Sequence, residues 1–452
     1  MISPEKIENL QQRLRGTVLR PGDDAYDNAR RVYNAAIDRH PAIIAQCAGV
    51  DDVRFSVELA RRSGIPTTVR AGGHNVAGRA LNDGGLVIDL TTMRGIRVDP
   101  RARTAHAQAG LRYRDFDSET QTFGLATTGG TVSETGIAGL TLGGGVGWLM
   151  RLHGLACDNL ISADIVTSDG NFLIVSEQEN ADLFWALRGG GGQFGIVTDF
   201  QYQLHPQGKL LGGMLVHSIA KATDVLRNSR DFMRSANDET MAFAGLLHGP
   251  DGTPVALQLC AHFGPPEESE RTLEPLRRSS SLLADQVGDM SYCALNQLLD
   301  AGFPSGLYNY WSARYIGSLE DDLIVRLVEA YQDAPTPLCA IVLEPLGGAV
   351  NRVPLEATAF HLRRGEVNLV VVARWVNPAE AEHCIAWART VLQTAEPFAL
   401  EGRYLNYVAA DEDPMAGYGA DKQARLEAIK RKYDPTGFFR LNPVERRVNA
   451  QI

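Results

Sequence analysis

Four glycine-rich segments, all between residues 70 and 195, constrain the fold more than any other feature of the sequence. They read RAGGHN (70–75), TTGGTVSETGIAGLTLGGGVG (127–147), HGLACDN (153–159) and RGGGGQFG (188–195). Glycine reaches positive φ freely and lets backbone amides approach a ligand closely. Successive amides in such turns form concavities that hold anions. A single cluster would indicate tight turns, but four clusters with His74 beside the first predict a cradle for a large phosphorylated cofactor.

The spacing of the glycines narrows the choice of cofactor. A P-loop for ATP or GTP requires the string GxxxxGK[ST], which the sequence lacks. A nicotinamide site of the Rossmann type requires GxGxxG between the first strand and helix, with an acidic residue about twenty positions further on. Gly145 and Gly147 begin such a pattern, but the third glycine is not at the required position. The clusters therefore favour a phosphorylated cofactor that is held in another way.

Composition and charge argue against several classes of partner. The length of 452 residues is too great for one compact core and predicts two domains, or three. A formal net charge of −10 argues against nucleic acids and anionic membrane surfaces. The segment MISPEKIENLQQRLRG is polar, unlike a secretory signal, and no apolar run reaches the ~20 residues of a membrane helix. Six scattered cysteines fit a cytoplasmic protein, and no CxxC or HExxH motif indicates a metal site.

Two patterns of secondary structure divide the chain near residue 205. Between residues 40 and 205, short β-type runs alternate with helical patterns such as DDVRFSVELARRSG, which predicts an α/β or α+β domain. From 206 to about 400, longer helical patterns such as LEDDLIVRLVEAYQDA alternate with strands such as EVNLVVVARWV. We expect an antiparallel sheet covered by helices there. The segment DKQARLEAIKRKYDPTGFF predicts a helix that stops at Asp434 and Pro435.

Motifs along the chain give it a family resemblance. VRAGGHNVAG (69–78), GIAGLTLGGGVGWLMRLHGLACDNL (136–160), DLFWALRGGGGQFGIVT (182–198) and YDPTGFFRLN (433–442) resemble the berberine bridge enzyme-like flavoproteins of the vanillyl-alcohol oxidase superfamily. The resemblance covers nearly the whole chain. It implies an α+β fold with two domains. Residues 1–205 form an FAD-binding domain of the PCMH type, to which 404–452 return, and residues 206–403 form the substrate-binding cap domain.

The resemblance implies that FAD is covalently bound. In the family that the chain resembles, the 8α-methyl carbon of the flavin is bonded covalently to the histidine of the GGH motif, which is His74 here. Such a bond withdraws electrons, which raises the reduction potential of the flavin, and it prevents loss of the cofactor. A second link through a cysteine is common in relatives, but Val132 occupies that position. We therefore expect one covalent bond, with Cys157 as a small buried thiol near the cofactor.

The same motifs imply which residues surround FAD. These are Arg70, Ala71, Gly72, Gly73, His74, Asn75, Gly78, Gly130, Thr135, Gly136, Gly139, Leu140, Gly144, Gly145, Cys157, Asp158, Asn159, Gly195, Ile196, Val197, Asn406 and Asn442. Two positions depart from the family pattern, because Gln193 replaces a common asparagine and Val444 replaces the second asparagine of a terminal NxN. We still expect Asn442 to hydrogen-bond the polar edge of the flavin.

Oxidation of a C–H bond by a flavin can require a base for the adjacent proton. By resemblance to the family's YxNY segment, Tyr407 is the first candidate for this base and Tyr404 the second, although either can be a core residue with a satisfied hydroxyl. As a strand, the segment would place Tyr404 and Asn406 on one side. A tyrosine has a pKa of ~10, so a cation or a hydrogen bond to the phenolate must lower it. Arg314 and Arg363 are candidates for that cation.

The substrate pocket is expected to use Arg314 and Arg363 together with Tyr310 and Trp311, although these aromatics could instead pack the sheet against its helices. The implied enzyme is an FAD-dependent oxidase that transfers a hydride from a C–H next to an alcohol, a sugar hydroxyl or an amine, with O2 as acceptor. A dehydrogenase with another acceptor and a redox-inactive flavin-binding protein are alternatives, and retention of His74 and Tyr407 argues against the second. We expect a small-molecule substrate and a monomer or homodimer.

Overall fold

Short strands and amphipathic helices alternate along most of the chain. A computed structural model describes residues 3–416 and 418–441. The strands of the described residues are β1 (Thr17–Leu19), β2 (Ile43–Gln46), β3 (Thr67–Arg70), β4 (Leu86–Asp89), β5 (Ile96–Asp99), β6 (Thr104–Gln108), β7 (Leu125–Ala126), β8 (Leu160–Val166), β9 (Phe172–Ser176), β10 (Ile196–Gln203), β11 (His205–Pro206), β12 (Leu210–Ser218), β13 (Thr240–His248), β14 (Pro254–His262), β15 (Leu282–Asp285), β16 (Gly288–Met290), β17 (Tyr308–Ile316), β18 (Ala340–Pro345) and β19 (Val367–Trp375).

The helices vary from one turn to four. They are α1 (Pro4–Arg13), α2 (Tyr26–Ala29), α3 (Val50–Ser63), α4 (Tyr113–Gln121), α5 (Ile137–Leu142), α6 (Met150–His153), α7 (Ala181–Leu187), α8 (Ala222–Ser235), α9 (Pro266–Arg277), α10 (Tyr292–Asn296), α11 (Asp321–Gln332), α12 (Ala349–Arg352), α13 (Ala381–Ala395) and α14 (Ala420–Tyr433). None of the helices in residues 3–416 and 418–441 is long and apolar enough to cross a membrane.

Helix α3 illustrates how the sequence sets these elements. Val53, Val57 and Ala60 recur at helical spacing and are buried in the core, while acidic residues occupy the first turn and arginines the last. The helix ends at Gly64, whose φ of 62° lies in the left-handed region that glycine adopts without strain. The chain then enters β3, which leads directly to the first glycine-rich loop.

Two sheets share one hydrophobic core in the first part of the chain. The first has the order β1-β2-β4-β3, in which β2, β4 and β3 run parallel and β1 is antiparallel. The second is antiparallel with the order β5-β6-β10-β8-β9. The last helix, α14, packs its buried Leu426 and Ile429 into the same core, so the end of the described chain returns to this region.

The third large sheet is antiparallel and has the order β15-β12-β14-β13-β18-β19-β17, with β16 also paired to β12. One face of its central strands, which includes Ile341, Leu369 and Val371, is buried under α8, α11 and α13. The other face carries Trp311, Val370 and Val372 and packs against residues from the first part of the chain. This second face, called here the front face, contributes to the candidate site.

The expected fold class is confirmed. The helical pattern over 319–334 forms α11, and the runs PVALQLCAHF and EVNLVVVARWV form β14 and β19. An antiparallel sheet covered by helices is present where it was expected. The division of the chain into domains at residue 205 stays a prediction.

Candidate functional site

The loop after β3 touches a second glycine-rich segment through its backbone. A Cβ added to Gly72 would lie 2.5 Å from the Cα of Gly136, and a Cβ on Gly136 would lie equally close to Gly72. No side chain other than hydrogen fits at either position. Gly73 has a φ of 66°, which turns the chain toward His74. The loop that carries His74 and the loop that leads into α5 are therefore held together.

His74 lies in an apolar, aromatic environment. Its ring stacks on Tyr33 with a centroid separation of 4.0 Å and an interplanar angle of 19°. Its Nε2 atom is buried and makes no hydrogen bond within the described residues. Burial, aided by the positive charge of Arg112, lowers the pKa of His74 to about 4. The imidazole is therefore neutral at physiological pH, the form in which a ring nitrogen has a lone pair free to bond carbon.

A chain of aromatic contacts links His74 to the front face of the third sheet. Tyr33 meets Trp311 edge-on at 5.8 Å, and Trp311 meets Tyr407 edge-on at 6.3 Å. Tyr310, the neighbour of Trp311 on β17, faces the opposite way and lies beside Arg389. The structure thus brings Trp311 to the site, whereas Tyr310 packs on the helix-covered side of the sheet.

Tyr404 immediately precedes a helical turn, Leu405–Tyr407, that ends with the other candidate base, so the expected strand is wrong. The hydroxyl of Tyr404 accepts hydrogen bonds from the backbone N–H groups of Gly145, at 3.0 Å, and Val146, at 2.9 Å. Asn406 Nδ2 also donates to this hydroxyl, and burial raises the pKa of Tyr404. The Tyr404 hydroxyl is therefore engaged in shaping the glycine-rich loop.

Tyr407 contacts a buried carboxyl group that the sequence analysis did not single out. Its hydroxyl donates to Glu344 Oε1 at 3.0 Å, and Asn368 Nδ2 donates to Glu344 Oε2 at 2.6 Å. Glu344 is 4% exposed, and this burial raises its pKa to about 7. Burial and the adjacent Glu344 also hold the pKa of Tyr407 well above its ordinary value. The base that this geometry offers is the carboxylate of Glu344, whose pKa lies near 7, rather than a phenolate.

The two arginines expected near the base are bound elsewhere. Arg314 lies on the helix-covered side of β17 and pairs with Glu396 and Glu412. Arg363 forms a two-pronged ion pair with Asp158, with both N–O distances at 2.6 Å. Neither guanidinium is available to lower the pKa of Tyr407. The signal that could have revealed Glu344 is its position as a single acid within the apolar strand of residues 340–345.

The segment 153–159 is tied to the rest of the protein by polar contacts. Asp158 accepts from the backbone N–H of Leu155 as well as from Arg363. Asn159 Nδ2 donates to the carbonyls of His153 and Leu155. Burial, with the neighbouring carboxylate of Asp158, raises the pKa of the Cys157 thiol. This shift favours the protonated thiol over the thiolate, which is the nucleophilic form.

Other residues predicted to surround FAD fall into three groups. Gly144 and Gly145 have φ values of 123° and 93°, and they lie against Phe360 and Ala156 respectively. A Cβ on Gly139, in α5, would contact nothing within 4 Å. The remaining predicted residues lie at the end of β3 and in the loop after it, in the loop before α5 and in α5 itself, and at the start of β10: Arg70, Ala71, Asn75, Gly78, Gly130, Thr135, Leu140, Gly195, Ile196 and Val197. Asn442 and Val444 lie outside the described residues.

This arrangement fits FAD. An imidazole nitrogen that no described residue hydrogen-bonds lies beside two glycine loops in backbone contact, and open space lies over Gly139. Asn406 joins these parts. Its Nδ2 donates to the backbone carbonyl of Leu140 at 3.0 Å, and its backbone carbonyl accepts from Asn75 Nδ2. The residues that would hold the cofactor therefore come from the loop near 70–78, from α5 and the residues on either side of it (136–146), and from the turn at 404–407.

Family models match both parts of this arrangement. The model of an FAD binding domain matches residues 41–176, and the model of berberine and berberine-like proteins matches residues 403–443. An FAD-linked oxidoreductase of Dictyostelium discoideum is 30% identical over 96% of this chain and 96% of its own length. The chain belongs to the berberine bridge enzyme-like FAD-linked oxidoreductases.

A further relative and a solved structure are similar to nearly the whole chain. The (R)-6-hydroxynicotine oxidase of Paenarthrobacter nicotinovorans is 30% identical over 95% of this chain and 96% of its own length. The crystal structure of 6-hydroxy-D-nicotine oxidase from Arthrobacter nicotinovorans superposes with a TM-score of 0.87 at 28% identity, covering 95% of this chain and 97% of that one. The expected family, FAD-dependent oxidoreductase class and cofactor are confirmed; the position of each cofactor contact stays a prediction.

The ion pair between Asp158 and Arg363 gives a first test of the site's construction. Both side chains are nearly fully buried, so Asp158→Asn leaves an uncompensated guanidinium in the core. We expect a loss of about 3–5 kcal/mol in the free energy of unfolding, measured by denaturant unfolding. The exposed pair of Asp322 and Arg326 is the control, and Asp322→Asn should cost less than ~1 kcal/mol. Equal losses for the two variants would contradict this role of the buried pair.

Proposed function

We propose that the chain is an oxidase that removes a hydride from a carbon next to a hydroxyl or amine nitrogen and passes the electrons to O2. The observation that carries this proposal is the buried pair of Glu344 and Tyr407, joined to His74 through Trp311 and Tyr33. A base with a pKa near 7 is suited to proton transfer at neutral pH. The name of the relative (R)-6-hydroxynicotine oxidase supports an oxidase.

FAD is proposed to be attached to His74 by one covalent bond. The neutral ring and the unpartnered Nε2 support this attachment, as does the stack on Tyr33, which fixes the plane of the imidazole. Val132 replaces the cysteine of a second link, and the Cys157 thiol is held protonated. When bound, the isoalloxazine supplies the hydride acceptor.

Glu344 and Tyr407 are proposed to remove the substrate proton as a unit. Tyr407 already donates its proton to Glu344 Oε1, so a substrate proton that reaches the phenol oxygen can be passed on to the carboxylate. The high pKa of Tyr407 excludes a standing phenolate, and the relay requires none. Asn368 holds the other carboxylate oxygen and fixes its direction.

The covalent bond can be tested without any substrate. After acid precipitation, flavin should remain with the wild-type polypeptide and should be released from His74→Ala, because that variant lacks the attacking nitrogen. Fluorescence of the denatured protein on a gel measures the fraction attached. The control Cys157→Ala removes a buried thiol and should keep the flavin attached. Flavin retained by denatured His74→Ala, or lost from Cys157→Ala, would show that the bond lies elsewhere.

The base gives flavin reduction a specific pH dependence. Because the pKa of Glu344 is raised to about 7, the carboxyl is protonated below that pH and cannot accept a proton. The anaerobic rate of flavin reduction should therefore rise through pH 7 and level off above it. In Glu344→Gln this rise should disappear, and reduction at high pH should slow by roughly 10²–10⁴-fold. A profile unchanged by the substitution would assign the base to another group.

Tyr407→Phe removes the hydroxyl and keeps the ring, so packing should survive. Flavin reduction should slow by roughly 10²–10⁴-fold while reoxidation by O2 is nearly unchanged, since reoxidation does not use this relay. The double variant with Glu344→Gln should be no slower than the slower single variant, because the two residues act as a unit. Tyr331→Phe, whose hydroxyl bonds His248 instead, is the control and should leave reduction unchanged. Additive effects of the two substitutions would contradict the relay.

A further inference from the structure

Three buried polar side chains form a row across the front face of the third sheet. In the register of the antiparallel strands, Asn368 of β19 lies directly opposite Tyr315 of β17 and opposite Glu344 of β18. Directly opposed residues project from the same face of a sheet. Exposure is 0% for Tyr315 and Asn368 and 4% for Glu344. The row is thus a continuous polar strip, withdrawn from water, at the end of the face where Tyr407 hydrogen-bonds Glu344.

This row has more hydrogen-bond acceptors than donors. With Glu344 ionised, Asn368 must present its Nδ2 to the carboxylate, which leaves Asn368 Oδ1 as an acceptor without a partner among residues 3–416 and 418–441. The hydroxyl of Tyr315 is also buried, and no described residue hydrogen-bonds it. Within residues 3–416 and 418–441, no lysine, arginine or histidine forms an ion pair with Glu344. A ligand that brings several N–H donors and a positive charge would satisfy all three groups.

The face beside this row is apolar. The next row along the strands, two residues away, consists of Ala313, Val370, Val342 and Gly245. The row beyond it includes Trp311, Val372 and Ala340. Trp311 directs its Nε1–H to Asn309 Oδ1, so even this group is already satisfied. Tyr407 spans these rows, with its hydroxyl on Glu344 and its ring against Trp311.

The chemistry of this face discriminates between the substrates that the proposed oxidase could take. A carbohydrate carries hydroxyl groups on nearly every carbon, and most of them would lie against the aliphatic rows without a hydrogen-bond partner. A neutral alcohol offers one donor and brings no charge to Glu344. A protonated amine with an apolar body matches both parts, because its N–H groups meet the acceptor row and its hydrocarbon covers the aliphatic rows.

We propose that the substrate is an apolar amine, bound with its nitrogen at Glu344, Asn368 and Tyr315 and its hydrocarbon body over the apolar rows against Trp311. The proposal rests on the proposed function, since it names the substrate class of the same site. It assigns a role to Asn368 and Tyr315 as positioning residues for the nitrogen. It also gives Glu344 two successive roles, as the counter-ion of the incoming ammonium and as the acceptor of its proton.

The proposed oxidation uses these groups together with FAD, water and O2. One N–H proton passes through the hydroxyl of Tyr407 to ionised Glu344, which leaves a neutral amine. The C–H next to nitrogen breaks, its hydride goes to oxidised FAD, and the nitrogen lone pair forms the second C–N bond of an iminium ion. Water then adds to the carbon and displaces ammonia or an amine, which leaves a carbonyl product. O2 takes the two electrons and the hydrogen from the cofactor, with the proton held by Glu344, and leaves as H2O2.

Binding is tested with a pair of ligands that cannot be oxidised. Cumylamine and cumyl alcohol share one apolar body and lack a C–H next to the nitrogen or oxygen, so the holoenzyme binds them without turnover. We expect cumylamine to perturb the flavin absorbance with an affinity at least ~30-fold higher than that of the alcohol, because it alone pairs with Glu344. Glu344→Gln should abolish this preference and change the affinity for the alcohol little.

A matched control comes from a second buried carboxyl of the same kind. Asp117 on α4 is fully buried, accepts a hydrogen bond from Asn296 and has a pKa raised to about 7, but it lies outside the proposed row. Asp117→Asn should keep the preference for the amine. Equal affinities for the two ligands in the wild type, or an unchanged preference in Glu344→Gln, would overturn the amine assignment.

Turnover separates the amine assignment from the proposed function. Under anaerobic conditions, α-methylbenzylamine should reduce the flavin at least ~10²-fold faster than α-methylbenzyl alcohol or cellobiose. Faster reduction by the alcohol or the sugar would overturn the amine assignment. Failure of the amine to reduce the flavin would overturn it as well. Both results would leave the oxidase proposal standing. The oxidase proposal is judged without substrate, by reoxidising the dithionite-reduced holoenzyme in air. Slow reoxidation without H2O2 would overturn that proposal alone.

Discussion

The backbone contact between Gly72 and Gly136 is the constraint on which the geometry of the site depends. Because neither position tolerates a Cβ, the loop after β3 and the loop before α5 meet without an intervening side chain. This contact fixes where His74 leaves the sheet. The ring of His74 then reaches Tyr33, and Tyr33 reaches Trp311 on the third sheet. The contact between these two glycines thus positions His74, from the first part of the chain, against the front face of the third sheet.

Burial shifts the pKa values of two titratable groups of the site, His74 and Glu344, in opposite directions. Loss of water disfavours the charged form of each, so the pKa of His74 falls to about 4 and that of Glu344 rises to about 7. The first shift leaves an imidazole that can form a bond to carbon. The second leaves a carboxyl that can accept a proton at neutral pH. Both consequences follow from placing the groups where the two sheet regions meet, with hydrogen bonds that direct Glu344 but do not neutralise it.

Local patterns predicted much of this arrangement, and contacts distant in sequence account for the rest. The glycine clusters, helix α3 and strand β19 follow from spacing and composition within a few neighbouring residues. The turn at Leu405–Tyr407 does not follow from local spacing. Next to it, the hydroxyl of Tyr404 accepts hydrogen bonds from the backbone amides of Gly145 and Val146, more than 250 positions away. The sequence did not indicate a role for Glu344 for the same reason, because that role depends on its hydrogen bond to Tyr407, which is distant in sequence. Arg363 resembled a substrate contact until its partner, Asp158, was known.

The proposed role of Glu344 as the base depends on its protonation near neutral pH. Infrared difference spectra between pH 5 and pH 9, recorded for the wild type and for Glu344→Gln, isolate the C=O stretch of this one carboxylic acid. The band specific to Glu344 should disappear with a midpoint near pH 7. A band already absent at pH 5 would mean that the carboxyl titrates like an exposed glutamate, and the account of the base would then be contradicted.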